Sequence, residues 1–224
     1  SDRDVDDVIE AVVASLRIAE IAVGRGMQTI APANNADEFV TVVSGLPRSG
    51  TSMLMKMLAA GGLDPLTDGI READEDNPGG YYELELVKKL EGDRNWLETA
   101  GGKTVKVISQ LLQSLPGDQR FKIVFALREM HEILASQREM LKRRGQTTDD
   151  VADEEIAAVF AGHLQEIKRW LEVQEHMDVF YVEYAAVLSD PLGESAKIKD
   201  FLDLPLNELQ MAAVVDESLY RQRQ

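Results

Sequence analysis

Apolar and polar positions along this chain follow two periods. Residues 39–43 (FVTVV) form a compact β-branched run, and 104–108 (TVKVI), 121–127 (FKIVFAL) and 178–182 (DVFYV) repeat that character. Each run is strand-length and rich in the branched and aromatic side chains that strands favour. Between the runs the apolar spacing changes to three and four, the mark of a helix with one buried face. Met53, Leu54, Met57 and Leu58 share such a face, as do Ile133, Leu134, Met140 and Leu141 over 130–144. Ile156, Val159, Phe160, Leu164, Ile167 and Leu171 predict a long helix over 153–176, all six facing inward. Leu84, Val87, Leu90, Trp96 and Leu97 predict another over 83–100, and 195–202 a last one. Strand and helix in alternation predict an α/β domain, a three-layer α/β/α sandwich around a short parallel sheet, with ligands at the strands' C-terminal ends.

Ahead of the first strand, Val5, Val8, Ile9, Val12, Val13, Leu16, Ala19 and Val23 lie at helical spacing over 4–24, behind an acidic start of Asp4, Asp6 and Asp7. That helix stops at Gly24-Arg25-Gly26, and 31–36 (APANNA) reads as a linker. Two regions are therefore expected, an extra N-terminal helix with its linker over 1–38 and the α/β domain over 39–224. The helix is expected to pack outside the α/β fold, on a second copy in a homodimer or on an upstream domain. Gly61-Gly62 is a helix stop. Residues 63–82 then form a long Asp-, Pro- and Gly-rich loop with little capacity for a core, and loops of that length tend to be functional.

Composition narrows the partners. The chain has 224 residues, 44% of them hydrophobic, and a net charge of −16 from 24 basic and 40 acidic residues. That charge repels nucleic acid and anionic membranes, so neither is an expected partner. With no cysteine there is no disulfide or thiolate metal site. No apolar run is long enough to span a bilayer and no signal peptide is seen, so a cytoplasmic protein is expected. Ser1 is not a natural start, and the chain reads as a fragment of something longer. His131, His163 and His176 fall in helical patterns without metal-ligand spacing, and structural roles and no metal are expected.

The chemistry-bearing stretch follows the first strand. Gly45-Leu46-Pro47-Arg48-Ser49-Gly50 sets two glycines in a GxxxxG frame, with Thr51-Ser52 opening the helix. Such a loop turns backbone N–H groups inward at a helix N-terminus, which suits a phosphate or sulfate. The frame is that of a nucleoside-triphosphate P-loop, but Thr51 stands where its Lys should be, and the loop's cation is Arg48, three residues earlier. An anion is expected there, though not the γ-phosphate of ATP. Further on, Arg128 ends the strand over 121–127 and Ser136 lies eight residues later, so both can face one crevice.

The run PRSGTS at 47–52 resembles the 5′-phosphosulfate loop of the sulfotransferases that use 3′-phosphoadenosine 5′-phosphosulfate (PAPS), in the form found in bacterial and Golgi-type members. Asp76-Asn77-Pro78-Gly79-Gly80-Tyr81-Tyr82-Glu83 resembles a stretch of bacterial members. Glu183-Tyr184 with 188–191, and 201–205 (FLDLP), are similar to further family segments. The resemblance implies a P-loop NTPase-like fold and transfer of a sulfuryl group from PAPS to a hydroxyl or amine, without a metal. It implies that Arg48, Ser49, Gly50, Thr51 and Ser52 hold the 5′-phosphosulfate, and that Arg128 and Ser136 hold the 3′-phosphate. Arg221 and Arg223 either close over that phosphate or form a solvated terminus. Lys106 matches the Lys of the cytosolic enzymes' Lys-Thr-His run, but Val107-Ile108 supplies no His base. A carboxylate must then serve, Glu83 first and Glu72 or Asp74 second. Arg48, Glu83 and Lys106 are the expected catalytic residues; the acceptor stays unassigned among sugar, lipid, peptide and small alcohol. Two other readings stand beside this one, a P-loop nucleotide or nucleoside kinase and a non-catalytic nucleotide-binding module.

Overall fold

The computed structural model describes residues 39–67, 82, 95–143 and 152–216. The expected N-terminal helix, the linker, most of the loop over 63–82 and the first part of the helix over 83–100 lie outside those residues. So do Glu72, Asp74, Glu83, Arg221 and Arg223.

The apolar runs become β1 (Val40–Gly45), β2 (Thr104–Lys106), β3 (Phe121–Leu127) and β4 (Met177–Glu183). They form one parallel sheet in the order β2-β1-β3-β4. β1 is buried along its whole length, as a central strand covered on both faces must be. Alternate side chains serve two cores. Val40, Val42, Val105, Val107, Phe121, Ile123 and Phe125 face one way, against Leu111, Leu112, Ile167 and Leu171. Val43, Val124, Ala126 and Val182 face the other way, against Leu54, Met57, Leu58, Ile198, Leu202 and Met211. Helices cover both faces, as the alternating pattern predicts.

The helices are α1 (Thr51–Ala60), α2 (Met130–Arg143), α3 (Asp153–Leu171), α4 (Tyr184–Ser189), α5 (Pro191–Leu202) and α6 (Glu208–Ala213). α3 corrects the sequence reading at two points. It ends at Leu171, not 176, because the chain turns back over 172–176 to start β4, with Gln174 Nε2 donating to the Trp170 carbonyl at 2.9 Å. His176 therefore lies in a turn and not in a helix. Val159, expected inward, is 46% exposed: the buried stripe of α3 is Phe160, Ile167 and Leu171. β2 is shorter than its apolar run, since Val107 already leaves the strand and Ser109–Ser114 winds into a 3₁₀ turn. Residues Asn95–Thr99, expected as α-helix, are also 3₁₀.

α5 starts earlier than its apolar spacing implies. Asp190 caps it, accepting from the Gly193 N–H at 3.0 Å, and Pro191 takes the first helical position, where its missing N–H costs nothing. At the other end, Lys122 of β3 donates to the carbonyls of Phe201 and Leu202 at 3.1 and 2.8 Å. A cation there meets the negative end of the helix dipole. Among the described residues no helix is long and apolar enough to cross a membrane.

Candidate functional site

The connection from β1 runs to β2 on one side, and β3 returns to the other side of β1. That reversal opens a crevice at the C-terminal ends of β1 and β3, the usual binding position in open α/β sheets. The loop after β1 and Arg128 after β3 both lie there.

The loop is braced from within. Ser49 is buried, and its hydroxyl donates to the Leu46 carbonyl at 2.7 Å, so its side chain shapes the turn. The Ser49 N–H bonds the same carbonyl at 3.2 Å. Arg48 adopts φ 68, a left-handed conformation that costs a non-glycine residue about 1 kcal/mol or more. Gly50 follows at φ 105 as the N-cap of α1. No side chain caps this helix and no acid sits in its first turn. Thr51 is buried at the helix start, with Ser52 beside it.

Among the described residues, three cations converge on this loop. Lys106 of β2 sits level with Val43, and its Nζ donates to Ser52 Oγ at 3.3 Å. A strand lysine thus delivers charge to the start of α1, near where a P-loop would carry its own Lys. Arg48 Nε donates to Ser136 Oγ at 2.9 Å, across from the loop to α2. Arg128 NH1 donates to the Arg48 carbonyl at 3.0 Å, and Arg128 Nε to Glu132 at 2.7 Å. The expected partners of the two ends of a nucleotide are therefore in direct contact: Arg48 of the loop reaches Ser136, and Arg128 reaches the loop.

Two residues that the sequence reading left aside belong to this group. Glu132 lies four residues after Arg128, and the Arg128–Glu132 pair is buried. Tyr184, quoted as part of a fold segment, packs its ring 4.3 Å from the Arg128 guanidinium carbon. Burial raises the Tyr184 hydroxyl pKa above its ordinary value; Arg128 and Arg48 oppose that rise and Glu132 adds to it. The phenol is thus a neutral wall beside Arg128. The four-residue steps from Arg128 to Glu132 to Ser136 were a usable signal, since residues at that spacing share a helix face. Tyr184 had no such local signal.

A backbone N–H turn at an uncapped helix start, three cations and two hydroxyls make a donor set for a multiply charged anion with phosphate or sulfate oxygens. Among the described residues no cluster of His, Asp or Glu could hold a metal ion. The family model for the sulfotransferase domain matches residues 40–223. The chain belongs to this family.

No curated protein sequence matches it. Among solved structures, this sulfotransferase is similar to the sulfotransferase domain from the curacin biosynthetic pathway, at 15% identity and TM-score 0.49, covering 80% of this chain and 78% of that one. It is also similar to the sulfotransferase domain of the Synechococcus PCC 7002 olefin synthase, at 14% identity and TM-score 0.49, covering 89% and 87%. A third is the mouse sulfotransferase SULT7A1 complexed with PAP, at 12% identity and TM-score 0.46, covering 96% and 72%. The family assignment makes the protein a transferase with PAPS as its co-substrate. The kinase and the non-catalytic module give way to it.

Proposed function

We propose that the crevice between β1 and β3 binds PAPS end to end and that the sulfuryl group passes to a hydroxyl or amine acceptor. The loop takes the 5′-phosphosulfate and the Arg128–Ser136 pair takes the 3′-phosphate. The observation that carries this reading is the Arg48–Ser136 hydrogen bond of 2.9 Å, because it closes loop and α2 over one crevice. When bound, PAPS supplies a sulfuryl group activated by its phosphate leaving group. Arg48, Lys106 and the loop amides offer positive charge where negative charge builds during transfer. Thr51 and Ser52 offer hydroxyl donors to the 5′-phosphate, and Ser49 keeps the turn in shape. Arg128 presents a forked donor matched to phosphate oxygens, which a lysine would not. Arg221 and Arg223 add charge over the 3′-phosphate.

The acceptor must lose a proton to a base within hydrogen-bond reach. We assign that role to Glu83, on the sequence alone. The apolar stripe over 4–24 is proposed, on the sequence alone, to serve association such as a homodimer and not the transfer chemistry. The cytoplasmic setting is likewise proposed from the sequence alone.

Calorimetry with 3′-phosphoadenosine 5′-phosphate (PAP), ATP and ADP, with and without Mg²⁺, tests the site. PAP is expected to bind most tightly, without metal, and to lose that preference in Arg128→Ala. A Mg²⁺-dependent preference for ATP would overturn the assignment. Once an acceptor is in hand, wild-type turnover in Glu83→Gln would remove Glu83 as the base.

A further inference from the structure

We infer that Glu132 is a positioning residue for Arg128, setting its guanidinium in register with Ser136 for a 3′-phosphate. The inference rests on the proposed nucleotide cleft and adds a residue to it. Carboxylates are seldom buried without a reason, and here the side chains of Arg128 and Glu132 are only 8% and 7% exposed. A buried ion pair is a poor way to stabilise a fold, since desolvation offsets its attraction. Its geometry points to a different use.

Among the described residues, three contacts hold the guanidinium from three directions. Glu132 takes Nε at 2.7 Å, and the Arg48 carbonyl takes NH1 at 3.0 Å. The guanidinium carbon lies over the Tyr184 ring, 4.3 Å from its centroid. Two hydrogen bonds and a ring contact restrain the position of a side chain that is otherwise rich in rotamers. Of the three, Glu132 alone stands on the same helix as Ser136. It lies one turn before Ser136, on the same face of α2. The Nε contact therefore measures Arg128 against Ser136 with the rigidity of one helical turn. An arginine held in its binding orientation loses less entropy when the phosphate arrives.

The rival account is charge balance, in which Glu132 only neutralises Arg128. Two conservative variants separate the two accounts. Glu132→Gln keeps the reach and an oxygen acceptor for Nε but drops the charge. Glu132→Asp keeps the charge but is one methylene short. The measurement is calorimetric affinity for PAP relative to adenosine 5′-phosphate, which lacks the 3′-phosphate. That ratio is internal to one sample, so a fraction of unfolded protein does not move it. Positioning predicts that Glu132→Asp cuts the ratio by about tenfold while Glu132→Gln stays within about threefold of the unchanged protein. Loss in the Gln variant, or a full ratio in the Asp variant, would overturn the inference. No PAP preference in the unsubstituted protein would instead overturn the nucleotide cleft itself.

Discussion

Gly50 sits at φ 105, and a Cβ built there would come within 2.6 Å of Tyr184 Cδ2. The glycine is needed twice, for its backbone conformation and for the space that lets the Tyr184 ring approach the loop. Gly50→Ala must shift the loop or expel the ring, and the ring is one wall of Arg128. A folded variant with PAP affinity reduced about tenfold or more is the expected outcome, read by calorimetry beside a thermal melt. His163 carries a different prediction. Its Nε2 lies 2.9 Å from the buried Ser109 hydroxyl, and burial lowers its pKa below the ordinary 6.5 against the opposing pull of Glu166. The unfolded chain then takes up a proton at a higher pH than the folded one. The stability given by neutral His163 is complete above the unfolded value and is lost as pH falls through the folded one. In His163→Gln, the loss of urea stability between about pH 7 and about pH 5.5 should shrink. It should not vanish, because burial lowers His176 in the same way, opposed by Asp118.

The elements followed their local signals where local chemistry decides. Phe121–Leu127 is a strand from end to end because a run buried on both faces has no other stable use in a doubly covered sheet. α1 stops where Gly61-Gly62 allows, with Gly62 at φ 103. The apolar stripe of α3 overran because periodicity alone does not register that β4 must begin at Met177, in register with Phe121. The start of α5 was legible in Asp190-Pro191 as cap and first residue, though apolar spacing placed it later. Asp190→Ala should cost about 1 kcal/mol of stability in urea unfolding, with nucleotide binding unchanged, because the cap lies on α5 and not on the crevice. Equal stability would mean that Pro191 alone sets the helix start.

At the scale of the whole molecule, a net charge of −16 faces an anionic co-substrate. In the proposed cleft Arg48, Lys106 and Arg128 would attract it at contact distance, while the remaining charge repels it from further out. Salt screens the long-range repulsion first: between about 20 and about 200 mM the Debye length falls from about 20 to about 7 Å. The association rate of PAP should therefore rise with salt over that range, by about twofold or more, in stopped-flow measurements. A falling rate would show that the three cations dominate the field well beyond the crevice. By itself the sequence determined the strand–helix alternation, the glycine-bounded turn into α1 and the Arg128–Ser136 spacing, because these depend on neighbours within a few residues. Tertiary structure alone decided that Lys106 reaches Ser52, that Arg48 reaches Ser136, and that Tyr184 packs on Arg128. Sheet order sets those contacts: β2 and β3 flank β1, so groups 54, 88 and 80 residues apart meet at one strand end. No local pattern encodes a pairing of that span.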